Sequence, residues 1–228
     1  MQTHLSPATF QFLRDLKANN DRDWFTEHKP RYQTAHADVV AFAETLLDKM
    51  SHHDELVKMT GKKSIFRIYR DVRFSKNKQP YKSNFAGQMK RATKWKRGGY
   101  YYHFEPGNVF LAGGFWAPER DDLKRIRQEI ATDAQPLRDI ISDAKFQKAF
   151  GELTGDQLKT APRDYPKDHP NIDLLRYKQF IVTQNFTDEE VFQADFADKL
   201  IAGFVAMRPF FNYMSEVLTT DANGVPIE

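Results

Sequence analysis

The stretch YYYHFEPGNVFLAGGFW, Tyr100 to Trp116, decides the fold class. Two β-forming arms, YYYHFE and VFLAGGFW, flank the turn Pro106-Gly107-Asn108, which is the pattern of a β-hairpin. Strand alternation sends Tyr101, His103 and Glu105 to one face of the first arm. Gly113-Gly114 within the second arm predicts a bulge or a close approach by another backbone or a ligand. QFIVTQNF, residues 179–186, has strand composition, and Phe85 to Arg91 reads as another strand.

Helical signals lie mostly outside these strands. Ser6-Pro7 is a cap followed by proline at the first helical position, and Phe10, Leu13 and Lys17 keep helical spacing up to Asn19-Asn20. Asn20 or Asp21 caps a second helix in which residues from Trp24 to Met50 recur every three or four places, with a kink expected at Pro30. Acidic residues from Glu119 open a helix carrying Leu123, Ile126 and Ile130, and a short helix is expected from Pro136 to Ser142. An irregular stretch is expected from Gly151 to Pro170. From Asp195 a last helix is expected to bury Phe196, Leu200, Phe204, Met207, Phe211 and Met214 and to bend at Pro209. The expectation is an α+β chain with a central, mainly antiparallel sheet and flanking helices. It is read as a single domain over 1–228, with 6–218 as the core and 219–228 a frayed tail.

Composition narrows the chemistry. The chain has no cysteine, which removes disulfides, thiolate nucleophiles and cysteine-based zinc sites. Apolar runs are only a few residues long, against about 20 for a membrane-spanning helix, and the first residues lack the pattern of a secretory signal. A cytoplasmic address is expected. The net charge of +3 hides an asymmetry: residues 62–97 hold 13 basic residues and one acid, Asp71, for +12, while the remaining 21 basic and 30 acidic residues give −9. Concentrated positive charge in an otherwise acidic chain attracts phosphates and carboxylates, although a solvated lysine-rich surface has the same composition.

Within that window IFRIYRDVRF, residues 65–74, alternates Phe66, Ile68, Val72 and Phe74 against Arg67, Tyr69, Asp71 and Arg73, and reads as a strand. Arg70 falls on the apolar side, so either a bulge intervenes or its guanidinium is buried with a partner. A turn over Asn77 to Pro80 follows. Arg67, Arg70, Arg73, Lys76, Lys78 and Lys82 are thereby gathered in one strand-loop segment, where guanidiniums supply bidentate anion contacts and lysines mobile charge. The alternative is that Asp71 pairs with an arginine to fix the loop while the lysines are merely solvated.

The run Arg70-Asp71-Val72-Arg73-Phe74-Ser75-Lys76-Asn77-Lys78 with Pro80-Tyr81-Lys82 resembles the signature of a conserved family of uncharacterised bacterial and fungal proteins. NNDRDWFTEHKPRY, GYYYHFEP, LAGGFWAP and LKTAPRDYPKDHPNIDLLRYKQF are similar to that family too, so the resemblance covers about Ser6 to Leu218. Ser83-Asn84 departs from it, since the family pattern has a hydroxyl residue and then often histidine; histidine chemistry is therefore not expected at position 84. The resemblance implies the extent of the domain and no reaction.

Other groups are weaker. Glu105 could orient the His103 imidazole as an acid–base pair, or His103 is an ordinary sheet residue. The polar stretch Ala161 to Tyr177 either caps a site or is a proline-stiffened loop. No metal-ligand spacing is present, no cofactor is expected, and TGKKS at 60–64 fails the phosphate-loop pattern. The leading expectation is an anionic ligand, bearing phosphate or carboxylate, held by the segment 65–84. Its site residues are Arg67, Arg70, Asp71, Arg73, Lys76, Lys78, Tyr81 and Lys82, with Tyr102, His103 and Trp116 beside them. Three alternatives use the same charge: a sequence-tolerant nucleic-acid surface extended by Lys90 to Arg97, an enzyme acting at a phosphate with Asp71 or His103 as base, and a scaffold whose basic segment meets an acidic partner or its own acidic remainder in an oligomer. No membrane partner is expected.

Overall fold

The computed structural model describes residues 1–221 and 224–227. The chain is α+β, with a four-stranded antiparallel sheet in the order β1-β2-β3-β4 and flanking helices. In chain order the elements are α1 (Pro7–Ala18), α2 (Arg22–Glu27), α3 (Lys29–Ser51), α4 (Gly61–Ser64), β1 (Phe85–Lys90), β2 (Gly99–Glu105) and β3 (Asn108–Phe115). Then follow α5 (Arg120–Thr132), α6 (Gln135–Ser142), α7 (Ala144–Phe150), α8 (Ile172–Leu175), β4 (Phe180–Phe186), α9 (Asp188–Val191), α10 (Phe196–Ala206) and α11 (Arg208–Thr219). Among the described residues no helix is long and apolar enough to cross a membrane.

The chain groups into two compact units, neither a continuous piece of sequence. Met1–Met89, Tyr101–Leu111 and Asn185–Ala202 form the first; Lys90–Tyr100, Ala112–Gln184 and Gly203–Glu228 form the second. In the first unit Phe42 stacks on Phe196 and meets Phe104 edge-on, both at 5.6 Å. In the second, Tyr100 packs on Phe204 and Phe211 at 5.4 and 5.1 Å, and Phe146 lies against Phe150 and Phe210. These rings are fully buried or nearly so, and such burial is the main favourable term in folding.

Local chemistry sets the helix starts. The Ser6 side chain caps α1 by accepting from Ala8 N at 3.2 Å. Asp21, not Asn20, caps α2 by accepting from Trp24 N at 2.9 Å. The expected kink at Pro30 is a full break: α2 ends at Glu27, and Pro30 sits in the first turn of a new helix, α3, where no backbone N–H is needed. Pro209 behaves alike, ending α10 and opening α11. Gly114 has φ +131°, and a Cβ there would stand 2.1 Å from the Phe180 carbonyl oxygen, so the expected close backbone approach is that of β4. The tail expected to fray is tied where it is described, with an antiparallel bridge between Thr220 and Pro226 and a hydrogen bond from Ile227 N to Thr219 O. Residues 222, 223 and 228 lie outside the described residues.

The strand expected over 65–74 is corrected. Only Ile65–Arg70 pairs with the returning chain, through isolated bridges Ile65 to Gly87 and Tyr69 to Tyr81, and 71–79 is a loop. Side chains take the loop's backbone donors: Asp71 Oδ1 accepts from Arg73 N, Ser75 Oγ from Asn77 N, and Asn77 Oδ1 from Gln79 N. Short polar side chains of this kind offer the backbone an alternative to a ladder, and here they prevail over the alternating pattern.

Candidate anion-binding site

The basic segment belongs to the first unit. Its outgoing arm is held by Phe66 N donating to Ala86 O and Arg70 N to Pro80 O, while Lys82 N on the return donates to Ile68 O, each at 2.8 Å. Asn20, just beyond α1, closes the arrangement from outside. Its amide donates to Tyr81 O and accepts from Tyr81 N, both at 3.1 Å, as a neighbouring strand would. The Tyr81 ring stacks on Phe25 at 4.0 Å and is 5% exposed. Tyr81, expected as a ligand-binding ring, is thus an anchor fixing where Lys82 emerges.

The six cations expected to act together separate into two groups. Arg73 is engaged with Asp71, its Nε 3.0 Å from Oδ1 and its terminal nitrogen 2.7 Å from Oδ2. That hydrogen bonding holds the Asp71 carboxyl below the usual range, which suits an orienting group rather than a base. Lys78 Nζ donates to Val72 O at 3.0 Å and braces the same loop, and Lys76 is exposed. By contrast Arg67, Arg70 and Lys82 form no ion pair with a carboxylate among the described residues. Burial, and then the charges of Arg67 and Arg70, push the Lys82 ammonium below its ordinary range. Arg70 is the arginine that fell on the apolar side: its terminal nitrogen reaches Tyr81 O at 3.4 Å, while its buried Nε has no hydrogen-bond partner. Lys82 Nζ stands 5.8 Å from the Phe66 ring centroid.

A polar cluster follows immediately in sequence. Ser83 Oγ donates to Glu105 Oε1 at 2.8 Å, Lys17 Nζ lies 3.3 Å from the same oxygen, and His103 Nε2 lies 3.5 Å from Oε2. Burial raises the Glu105 carboxyl, but the hydrogen bonds from Ser83, Lys17 and Asn108 outweigh it and leave it lowered. The Tyr101 hydroxyl meets His103 Nδ1 at 2.9 Å, and the Asn84 amide nitrogen lies 3.0 and 3.2 Å from the two ring nitrogens. The imidazole is stacked on Phe110 at 4.7 Å, and burial lowers its pKa against the opposing pull of Glu105. Glu105 therefore stands beside His103, and the imidazole is also held by Tyr101 and Asn84, as a satisfied sheet residue would be. Both imidazole nitrogens have protein partners.

Tyr102 is corrected from ligand-binding ring to core. It is fully buried, its hydroxyl lies 3.0 Å from Ser64 Oγ, burial pushes its pKa up to about 12, and Gly87 is the only residue type that fits against it, since a Cβ there would come within 2.2 Å of that hydroxyl. Trp116, 71% exposed, follows β3 in the second unit. The polar stretch 161–177 also belongs to that unit, where Asp173 pairs with Arg138 at 2.8 Å. A shallow groove of about 480 Å³ in the first unit is lined by Arg14, Lys17, Ala18, Pro106, Gly107 and Asp188, but its cations are already neutralised by Asp188 and Glu105. Asn20 and Ser83 carried no sign of their positioning roles in the sequence: the first reads as a helix stop, the second as part of a loop.

Fold and site together define an α+β protein bearing a cationic strand-loop segment. Residues 8–213 match the model of the conserved hypothetical protein family DUF2461, and the chain belongs to that family. Comparison with curated proteins and with solved structures gives no match.

Proposed function

We propose that the protein binds an anionic ligand, bearing phosphate or carboxylate, through the segment 65–84, with Arg67, Arg70 and Lys82 carrying the charge. One observation carries this reading: Arg67, Arg70 and Lys82 have no carboxylate to neutralise them among the described residues, although Asp71 follows Arg70 directly and is spent on Arg73. The charges of Arg67 and Arg70 oppose that of Lys82, and a doubly charged anion would relieve that repulsion. Hydrogen bonds to charged groups contribute about 1.5–3 kcal/mol each, so losing one cation should weaken binding by about tenfold or more. The cytoplasmic address belongs to this reading, on the strength of a chain without cysteine.

Titration calorimetry with inorganic pyrophosphate tests it. Saturable binding is expected in the native protein, with a loss of about tenfold or more in Arg67→Ala and in Lys82→Ala. Binding that is absent, or unchanged in both variants, would overturn the proposal.

A further inference from the structure

We infer that the anion recognised by this segment is single-stranded nucleic acid, with unpaired bases stacking on Tyr69 and Phe74 while Arg67, Arg70 and Lys82 meet its phosphates. This rests on the anion-binding reading above and narrows it to a polymer carrying flat rings. The observation behind it is where the aromatic rings are exposed. Phe74 is 96% exposed and Tyr69 52%; the more weakly exposed Phe66 (39%) is the neighbour of Lys82, and the other exposed rings, Trp95 (39%) and Trp116 (71%), belong to the second unit. Both rings alternate in sequence with the exposed cations Arg67, Arg73, Lys76 and Lys78, and the Arg73 guanidinium lies 5.9 Å from the Phe74 centroid. Exposed rings interleaved with cations are what sequence-tolerant binding of unpaired strands requires, since every base has a face to stack and every nucleotide a phosphate.

The loop is also held in shape before any ligand arrives. Asp71 fixes Arg73, Ser75 and Asn77 cap the turns, and Lys78 ties back to Val72. Tyr69 is supported from behind by Phe25 and Tyr81, with ring centroids 6.1 and 5.5 Å away, so much of its surface remains open. Paired bases would offer these rings nothing to stack on, and no helix stands in this segment to enter a groove. A bilayer surface would call for a contiguous apolar face, whereas here the rings are separated by arginines. The basic stretch Lys90–Arg97 is not needed: Arg91 is engaged with Asn212 and Ser215, and Arg97 with Asp122.

Fluorescence anisotropy with a short labelled oligonucleotide of mixed sequence tests the inference, run beside its duplex, vesicles rich in phosphatidylserine, and pyrophosphate. The single strand should bind more tightly than the duplex, and its affinity should fall steeply as salt rises. Phe74→Ala should lose about tenfold in affinity for the strand, none for pyrophosphate, and Phe74→Tyr should restore it. Equal binding of the duplex, preference for vesicles, or an unchanged Phe74→Ala variant would overturn it. Pyrophosphate binding without oligonucleotide binding would overturn this inference and leave the anion site standing, while failure of both ligands would overturn both.

Discussion

Tyr100, Tyr102 and Phe104 on β2 are withdrawn completely from solvent, whereas Phe66, Tyr69 and Phe74 in the basic segment are 39, 52 and 96% exposed. Both stretches alternate apolar with polar residues, so side-chain pattern alone does not separate them. What separates them is the fate of the backbone. In β2 the strand continues to the turn before β3, and alternate residues are driven inward. In the basic segment pairing stops at Arg70, because Asp71, Ser75 and Asn77 take the next donors themselves. A ring on a paired strand has a face to bury against; a ring on a loop closed by its own side chains does not. Energy that buries rings in one region is replaced in the other by a fixed loop with its rings and cations turned to water.

The sharpest way to break this comparison is to remove one ring from each region. Phe104→Ala should cost about 3–5 kcal/mol in urea unfolding, the usual cost of truncating a buried Phe, while Phe74→Ala should stay within about 0.5 kcal/mol of the native protein. If Phe74→Ala cost more than about 1 kcal/mol, the ring would belong to a core and the contrast would be lost. A smaller effect tests the boundary of the segment. Asn20→Ala removes both hydrogen bonds to the Tyr81 backbone, so a loss of about 1–3 kcal/mol is expected, together with faster hydrogen exchange at the Tyr81 amide. Unchanged exchange would mean that the pairing with Ile65–Arg70 holds Tyr81 by itself.

Much of the sheet was legible because its signals are local. The β2–β3 hairpin has its turn residues between two arms, and β4 its apolar run, and both stand where the pattern put them. The basic segment was legible as a charge concentration but not as a shape. Nothing in the order of residues tells Arg73, spent on Asp71, from Arg67, which has no carboxylate partner among the described residues. Tyr102 looked available for the same reason: its burial depends on Ser64 and Gly87, distant in sequence, approaching its hydroxyl. Arg91 and Arg97 were counted into the same basic field, yet both are tied to residues of α5 or α11 that no local pattern reveals.

The smallest expected effect has the opposite sign and bears on why the cations of the basic segment stay together. Lys82→Met keeps an unbranched stem against Phe66 while removing a charge that burial, Arg67 and Arg70 all disfavour. Because the folded pKa of Lys82 lies below its unfolded value, the unfolded chain holds more protons between the two values, and stability rises with pH through that window. Below the window the lysine is charged in both states and its penalty is complete. The methionine variant should therefore be slightly more stable near neutral pH, by less than about 1 kcal/mol because solvent screens a half-exposed group. The gain should shrink with added salt and vanish above the unfolded lysine pKa, while pyrophosphate binding weakens. Urea melts of both proteins at low and high salt read this directly: a more stable variant that binds less well marks a cation kept for its ligand, and a less stable one makes Lys82 part of the structure, with its stem and its contact to Phe66 outweighing the repulsion.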